Sequence, residues 1–249
     1  VIDRRLRAAL ATAAVLAAAV AAPRAQTPED NADRLRLYHE RIAAESRRLA
    51  PGASLAELVV PVFALAAARS AAAGATTTAA DENRAAILAL TLYVNGWNPA
   101  MFTPEAKTWA APVRRDLVLR GRGDLAQHFI VSAVIAAAAG SPVAAAAGLY
   151  KELSDARDGS GFSFSDLAAD RAGERFGLAA TRSEASARDL QARIGQRLAE
   201  ADMMPPIDGL VDNLSEAELK RRFGGVGAPA YNSVIDEIDR RVMSLPLLR

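Results

Sequence analysis

Alanine dominates the apolar residues of this chain, and that restricts its possible folds more than any motif does. Hydrophobic residues make up 51% of the 249 positions and aromatics only 5%. Alanine has the highest helix propensity, while the β-branched runs that favour strands are scarce. Small side chains bury little area each, so helices built from them must pack closely. The expectation is an all-α fold, a helical bundle of about eight helices with a long irregular loop holding Trp97 and Trp109. The length suits one domain with a real core.

Charge and cysteine content exclude several functions. The net charge is +1, and no basic face with interleaved aromatics appears, which argues against a nucleic-acid partner. The absence of cysteine removes disulfides, thiolate nucleophiles, sulfur metal sites and the acylated cysteine of a lipoprotein. Arg4, Arg5 and Arg7 precede an uncharged stretch from Ala8 to Ala22, and Ala25-Gln26 offers a small-residue cleavage point. This is the pattern of an export signal, too short to be a comfortable membrane span. Residues 1–25 are thus expected to be a signal peptide on a precursor starting at Val1, and 26–249 a single all-α periplasmic domain.

Along the mature chain, Leu35, Tyr38, Ile42, Ala43 and Leu49 mark a first amphipathic helix. His39-Glu40 lacks the second histidine of a zinc-protease helix and reads as surface. A second helix spans about Ser54 to Arg69, with Pro61 as a kink or break. A third runs from Asp81 to about Val94. The tryptophan loop follows, and its aromatics read as pinned to the body rather than used for binding. Arg114, Arg115, Arg120 and Arg122 read as solvated surface, with contact to anionic headgroups as the sharper alternative. Further on, Ser183 to Glu200 is amphipathic through Ala187, Leu190, Ile194 and Leu198. Ser215 and Glu218 form a capping box before a short helix that stops at Gly224-Gly225, and a last helix spans about Ala230 to Met243.

The polar residues most able to carry chemistry lie between Asp124 and Asp170. Asp124 and His128 are spaced i, i+4, as are Lys151 and Asp155, and Asp166 and Asp170; Glu152 stands three before Asp155. Side chains at that spacing share a helix face. No charged residue occurs between His128 and Lys151, so a hairpin folded at Gly140-Ser141-Pro142 would bring the charged ends together. Charges beside apolar sequence must be paired or bound to metal. Two readings follow. In one, Lys151 pairs with a carboxylate and His128 bonds to Asp124 as an ionic network. In the other, Asp124, His128, Glu152, Asp155, Asp166 and Asp170 form an acid/base site or hold a divalent metal, with Lys151 beside them. Serine hydrolysis rests only on Ser132, one turn from His128, because Gly159-Ser160-Gly161 lacks the nucleophile-elbow spacing. The stretch 129–150 reads as a buried hairpin, with membrane insertion as the alternative.

The series Asp124-x-x-x-His128-Phe129-x-x-Ser132, Lys151-Glu152-x-x-Asp155 and Gly161-Phe162-Ser163 with Asp166-x-x-x-Asp170-x-x-Gly173 resembles the YfiM-like predicted periplasmic lipoproteins. A fainter likeness reaches the VanZ-like membrane proteins. The resemblance covers residues 120–177 and implies an envelope address and these site residues, without an established activity. The departure is the missing cysteine, which rules out lipid attachment of that kind. The expected partner is an envelope protein or a membrane surface. The competing functions are a binding or scaffolding protein and an envelope hydrolase.

Overall fold

In the computed structural model, residues 28–72, 75–139 and 161–248 are described. They form nine α-helices and no strand, which makes the chain an all-α bundle. The helices are α1 (Pro28–Ser46), α2 (Leu55–Ala71), α3 (Ala79–Asn95), α4 (Gly123–Ala139) and α5 (Phe164–Thr181), then α6 (Glu184–Gln196), α7 (Glu200–Met203), α8 (Glu216–Phe223) and α9 (Pro229–Met243). No helix among the described residues is long and apolar enough to cross a membrane. The second arm of the expected 129–150 hairpin lies outside them, as do the signal segment and Lys151, Glu152 and Asp155.

Alanine and glycine set the architecture. The central pair is α4 against α5, and α3 packs beside both. A Cβ added at Gly173 would meet the carbonyl oxygen of Phe129 at 2.0 Å, and one at Gly177 would meet that of Ala133 at 2.1 Å. The two backbones therefore touch along two successive turns, where no side chain fits. Phe129, Phe63 and Phe176 fill the space around this seam, with ring centroids 5.3 and 5.4 Å from Phe176. Edge-on or tilted packing at such distances suits aromatic quadrupoles. Leu35, Tyr38 and Ile42 of α1 and Leu58, Val62 and Phe63 of α2 complete the core.

The helix boundaries follow local chemistry. Ser54 with Glu57, Thr78 with Asp81 and Ser215 with Glu218 form reciprocal capping boxes. Gly96 takes the left-handed conformation that closes α3. Two expectations need correction. Pro61 does not break α2, which runs on to Ala71 because Leu58, Val59, Val62, Phe63 and Ala66 are buried on either side of it; tertiary burial outweighs the one lost backbone hydrogen bond. The amphipathic helix from Ser183 ends at Gln196, not Glu200, and Arg197 is extended. The turn lets Glu200 accept from the Ser54 hydroxyl at 2.8 Å and the Arg120 amide at 2.7 Å.

The tryptophan loop is pinned, as its composition suggested. Trp97 and Trp109 pack against the core. His39 is half-buried, packs its ring tilted against Trp109 with centroids 5.3 Å apart and lies 2.9 Å from the Ala110 carbonyl. The basic run stays in reach of solvent, with Arg114 exposed and Arg115, Arg120 and Arg122 half-buried, but its side chains are also tied to the chain. Arg114 donates to the Tyr93 and Val94 carbonyls, Arg115 to that of Ser46, and Arg120 to those of Met204 and Pro205. Those of Arg114 and Arg115 satisfy carbonyls that helix ends leave open, and that of Arg120 holds the start of the 204–215 segment.

Candidate functional site

The site begins at a tight turn. Leu119 and Arg122 exchange backbone hydrogen bonds, with Arg120 and Gly121 both at positive φ, and α4 starts at Gly123. The turn delivers the Arg122 side chain to the N-terminal end of α5. There it donates to Asp124 through Nε at 3.1 Å and Nη2 at 2.6 Å, and to Asp166 through Nη2 at 3.1 Å. Nη1 donates to Asp212 at 2.5 Å and to the Ser165 hydroxyl at 2.7 Å. The hydrogen bond with Asp124, together with the neighbouring carboxylates, pushes the Arg122 pKa up. Burial pushes the Asp124 carboxyl up, but Arg122 and the Leu125 amide outweigh it and hold it below the ordinary carboxylate range.

Asp212 sits in the irregular segment 204–215, which crosses the start of α5. Its carboxylate accepts from the Ser165 amide at 3.1 Å and the Ser165 hydroxyl at 2.5 Å. It thus caps α5 from a distant part of the chain, since the N-cap residue Ser163 makes no side-chain cap bond. Phe162 and Leu214 pair through their backbones beside it.

One turn along α4, His128 reaches across to α5. Nδ1 lies 3.1 Å from Asp170 Oδ1, within hydrogen-bond range, and Nε2 lies 3.6 Å from Asp166 Oδ2, an ion-pair distance. Ser132, one further turn on, donates to the same Asp170 oxygen at 2.7 Å. Asp170 Oδ2 is buried and makes no hydrogen bond. His128 and Asp170 are each 8% exposed and Asp166 9%, so this part of the cluster is shielded from solvent.

Most of the described site residues come together, but with different partners from those expected. The expected His128–Asp124 bond is a correction: Asp124 turns outward to Arg122, its side chain half exposed, and His128 is engaged by Asp166 and Asp170. A guanidinium two residues away offers Asp124 a forked, charged donor that the imidazole cannot match. Among the described residues, no group of three or more histidines and carboxylates is disposed to hold a metal ion. Sequence reasoning missed Arg122, Ser165 and Asp212. Arg122 was legible as a charge two residues before Asp124, but nothing local links Asp212 to a helix that starts almost fifty residues earlier.

The arrangement restricts the chemistry. A nucleophilic serine needs the histidine between itself and the carboxylate. Here Ser132 and His128 instead share one Asp170 oxygen, so Asp170 orients both and neither activates the other. No family model, no curated protein and no solved structure matches the chain.

Proposed function

We propose that the chain is an exported envelope protein that binds or scaffolds a partner, and that the cluster around Arg122 and His128 is an internal ionic lock. The observation that carries this reading is the commitment of the described carboxylates: Asp124, Asp166 and Asp212 to Arg122, and Asp166 and Asp170 to His128. Groups so engaged, with His128, Asp166 and Asp170 buried among them, serve to tie elements together. The lock joins α4, α5 and the 204–215 segment, and breaking one partner of a buried pair leaves the other uncompensated. The export pattern of residues 1–25 and the likeness of residues 120–177 support the address.

The test is thermal unfolding of residues 26–249 with and without EDTA, alongside elemental analysis and the variants His128→Asn and Asp170→Asn. The lock reading expects no bound metal and no EDTA effect, with both variants melting earlier. A stoichiometric metal whose removal lowers the melting temperature in the parent protein but not in His128→Asn overturns it, in favour of a metal-dependent hydrolase.

A further inference from the structure

The basic run 114–122 is tied to internal carbonyls and carboxylates, but a second run is not. Lys220, Arg221 and Arg222 close α8 and are exposed, and none of the three forms an ion pair among the described residues. Leu219 is buried, and Phe223, one turn on, packs edge-on against Phe164 with centroids 5.0 Å apart, so these two mark the inward side of the helix. At about 100° per residue, the three cations between them fan across the outward side. The Arg222 guanidinium lies 5.5 Å from the centre of the Phe223 ring, which leaves its N–H donors open. From Lys220 to Ile235 the sequence holds no acidic residue. The acid that precedes the run, Glu218, accepts from the Ser215 hydroxyl at 2.7 Å and amide at 3.1 Å. Those bonds, with the charges of Arg221 and Arg222 added, hold it below the ordinary carboxylate range. The carbonyl end of a helix carries only about half an elementary negative charge, too little to offset three cations. Beyond them the chain turns at Gly224-Gly225-Val226-Gly227, its three glycines at positive φ, and leaves Val226 43% exposed between α8 and α9. The Ala228 amide donates to the Gly225 carbonyl at 3.2 Å and the Asn232 side chain to that of Gly227 at 3.0 Å, which holds the turn.

We propose that this tip of the α8–α9 hairpin docks on an anionic bilayer surface, with Lys220, Arg221 and Arg222 among the headgroups and Val226 at the acyl boundary. Charge complementarity selects the occupant. The exposed arginines Arg36, Arg48 and Arg240 each have a carboxylate of their own, whereas this run has its counter-charge only from outside. A folded protein presents fixed carboxylates from one side. Cations that fan around the end of a helix instead match a diffuse, planar charge that surrounds the tip. The bare valine beside them gains by entering the apolar boundary. The inference rests on the proposed envelope address and on no part of the ionic lock, so its failure leaves the thermal test of the lock untouched.

Residues 26–249 contain every described helix, and co-sedimentation with vesicles measures their binding. The expected result is binding to vesicles of three parts phosphatidylcholine to one part phosphatidylglycerol, weakened by salt, and little binding to phosphatidylcholine alone. Replacing Lys220, Arg221 and Arg222 together by Gln is expected to lower the partition coefficient by about fivefold for each cation, with the melting temperature unchanged. Replacing Arg36, Arg48 and Arg240 by Gln removes the same charge elsewhere and is expected to leave most of the binding. Val226→Ala is expected to weaken it about fourfold, the effect of one buried methylene. No binding to either vesicle overturns the inference, as do equal binding to both vesicles and equal losses in the two triple variants. Binding to soluble polyglutamate but not to vesicles overturns it in favour of an acidic polypeptide partner. Should the triple variant at 220–222 melt earlier, Arg221→Gln alone carries the test.

Discussion

At the scale of single residues, Glu82 is a buried ion committed to several partners at once. Its side chain is completely buried and accepts from Tyr38 at 2.6 Å, Arg69 at 2.8 Å and Thr77 at 2.7 Å, with Arg34 3.4 Å away. Burial pushes its carboxyl up, but Arg69, Tyr38 and Thr77 together hold it below the ordinary range. The Tyr38 hydroxyl is pushed far up by its own burial and by the Glu82 charge. Replacing Glu82 by Gln removes the buried charge that faces Arg69 and Arg34, and denaturant unfolding is expected to show a loss of about 3 kcal/mol at neutral pH. A depressed carboxylate stabilises above its unfolded value and ceases to as pH falls through its folded value. The gap between parent and Glu82→Gln should therefore close in acid, and a gap that widens there contradicts the assignment. Sequence periodicity identified Tyr38 as a core position, and it is indeed buried. Periodicity carries no information about which ion meets its hydroxyl from another helix.

At the scale of helices, the fold depends on how closely α4 and α5 approach. Gly173→Ala places a methyl group 2.0 Å from the Phe129 carbonyl oxygen, and Gly177→Ala places one 2.1 Å from that of Ala133. Backbone atoms cannot yield as a side-chain tip can, so each substitution should cost about 3 kcal/mol, measured by urea unfolding. Gly195 near the end of α6 has nothing within 4 Å of an added Cβ. Gly195→Ala should raise stability by about 0.5 kcal/mol through helix propensity alone. If all three glycines respond alike, α4 and α5 do not meet along Gly173 and Gly177. Helix starts were partly legible: the Ser215–Glu218 box is present as expected, and Thr78 with Asp81 carries the same signature three residues before the expected start of α3. The end of α6 was not legible, because Glu200 leaves that helix to meet Ser54 and Arg120 far away in sequence.

At the scale of the whole molecule, arginine joins what the small core leaves loose. Of the 30 lysines and arginines only three, Lys107, Lys151 and Lys220, are lysines. Arg115, Arg188, Arg114 and Arg84 donate to carbonyls at the C-terminal ends of α1, α2, α3 and α4 respectively. Arg120, Arg122 and Arg241 hold the 204–215 segment from three directions. A planar guanidinium reaches two acceptors at once, which a lysine ammonium does not reproduce. Arg120→Lys is expected to lower stability by about 1–2 kcal/mol. Limited proteolysis should then cut within 204–215 well before global unfolding, whereas cleavage first in the tryptophan loop would place the weak point elsewhere.

The sequence by itself determined the helical class, because alanine propensity, 3.6-residue periodicity and capping residues act within a few positions of one another. It also placed His128, Asp166 and Asp170 at spacings that put them on common helix faces. The tertiary structure alone decided their partners: Asp124 to Arg122, His128 to α5, and Asp212 to the start of α5 from the 204–215 segment. The physical reason is one of range. Local rules act through bonds and turns, whereas charge pairing depends on distances in space, and those are set by how closely the glycine seam lets α4 and α5 approach.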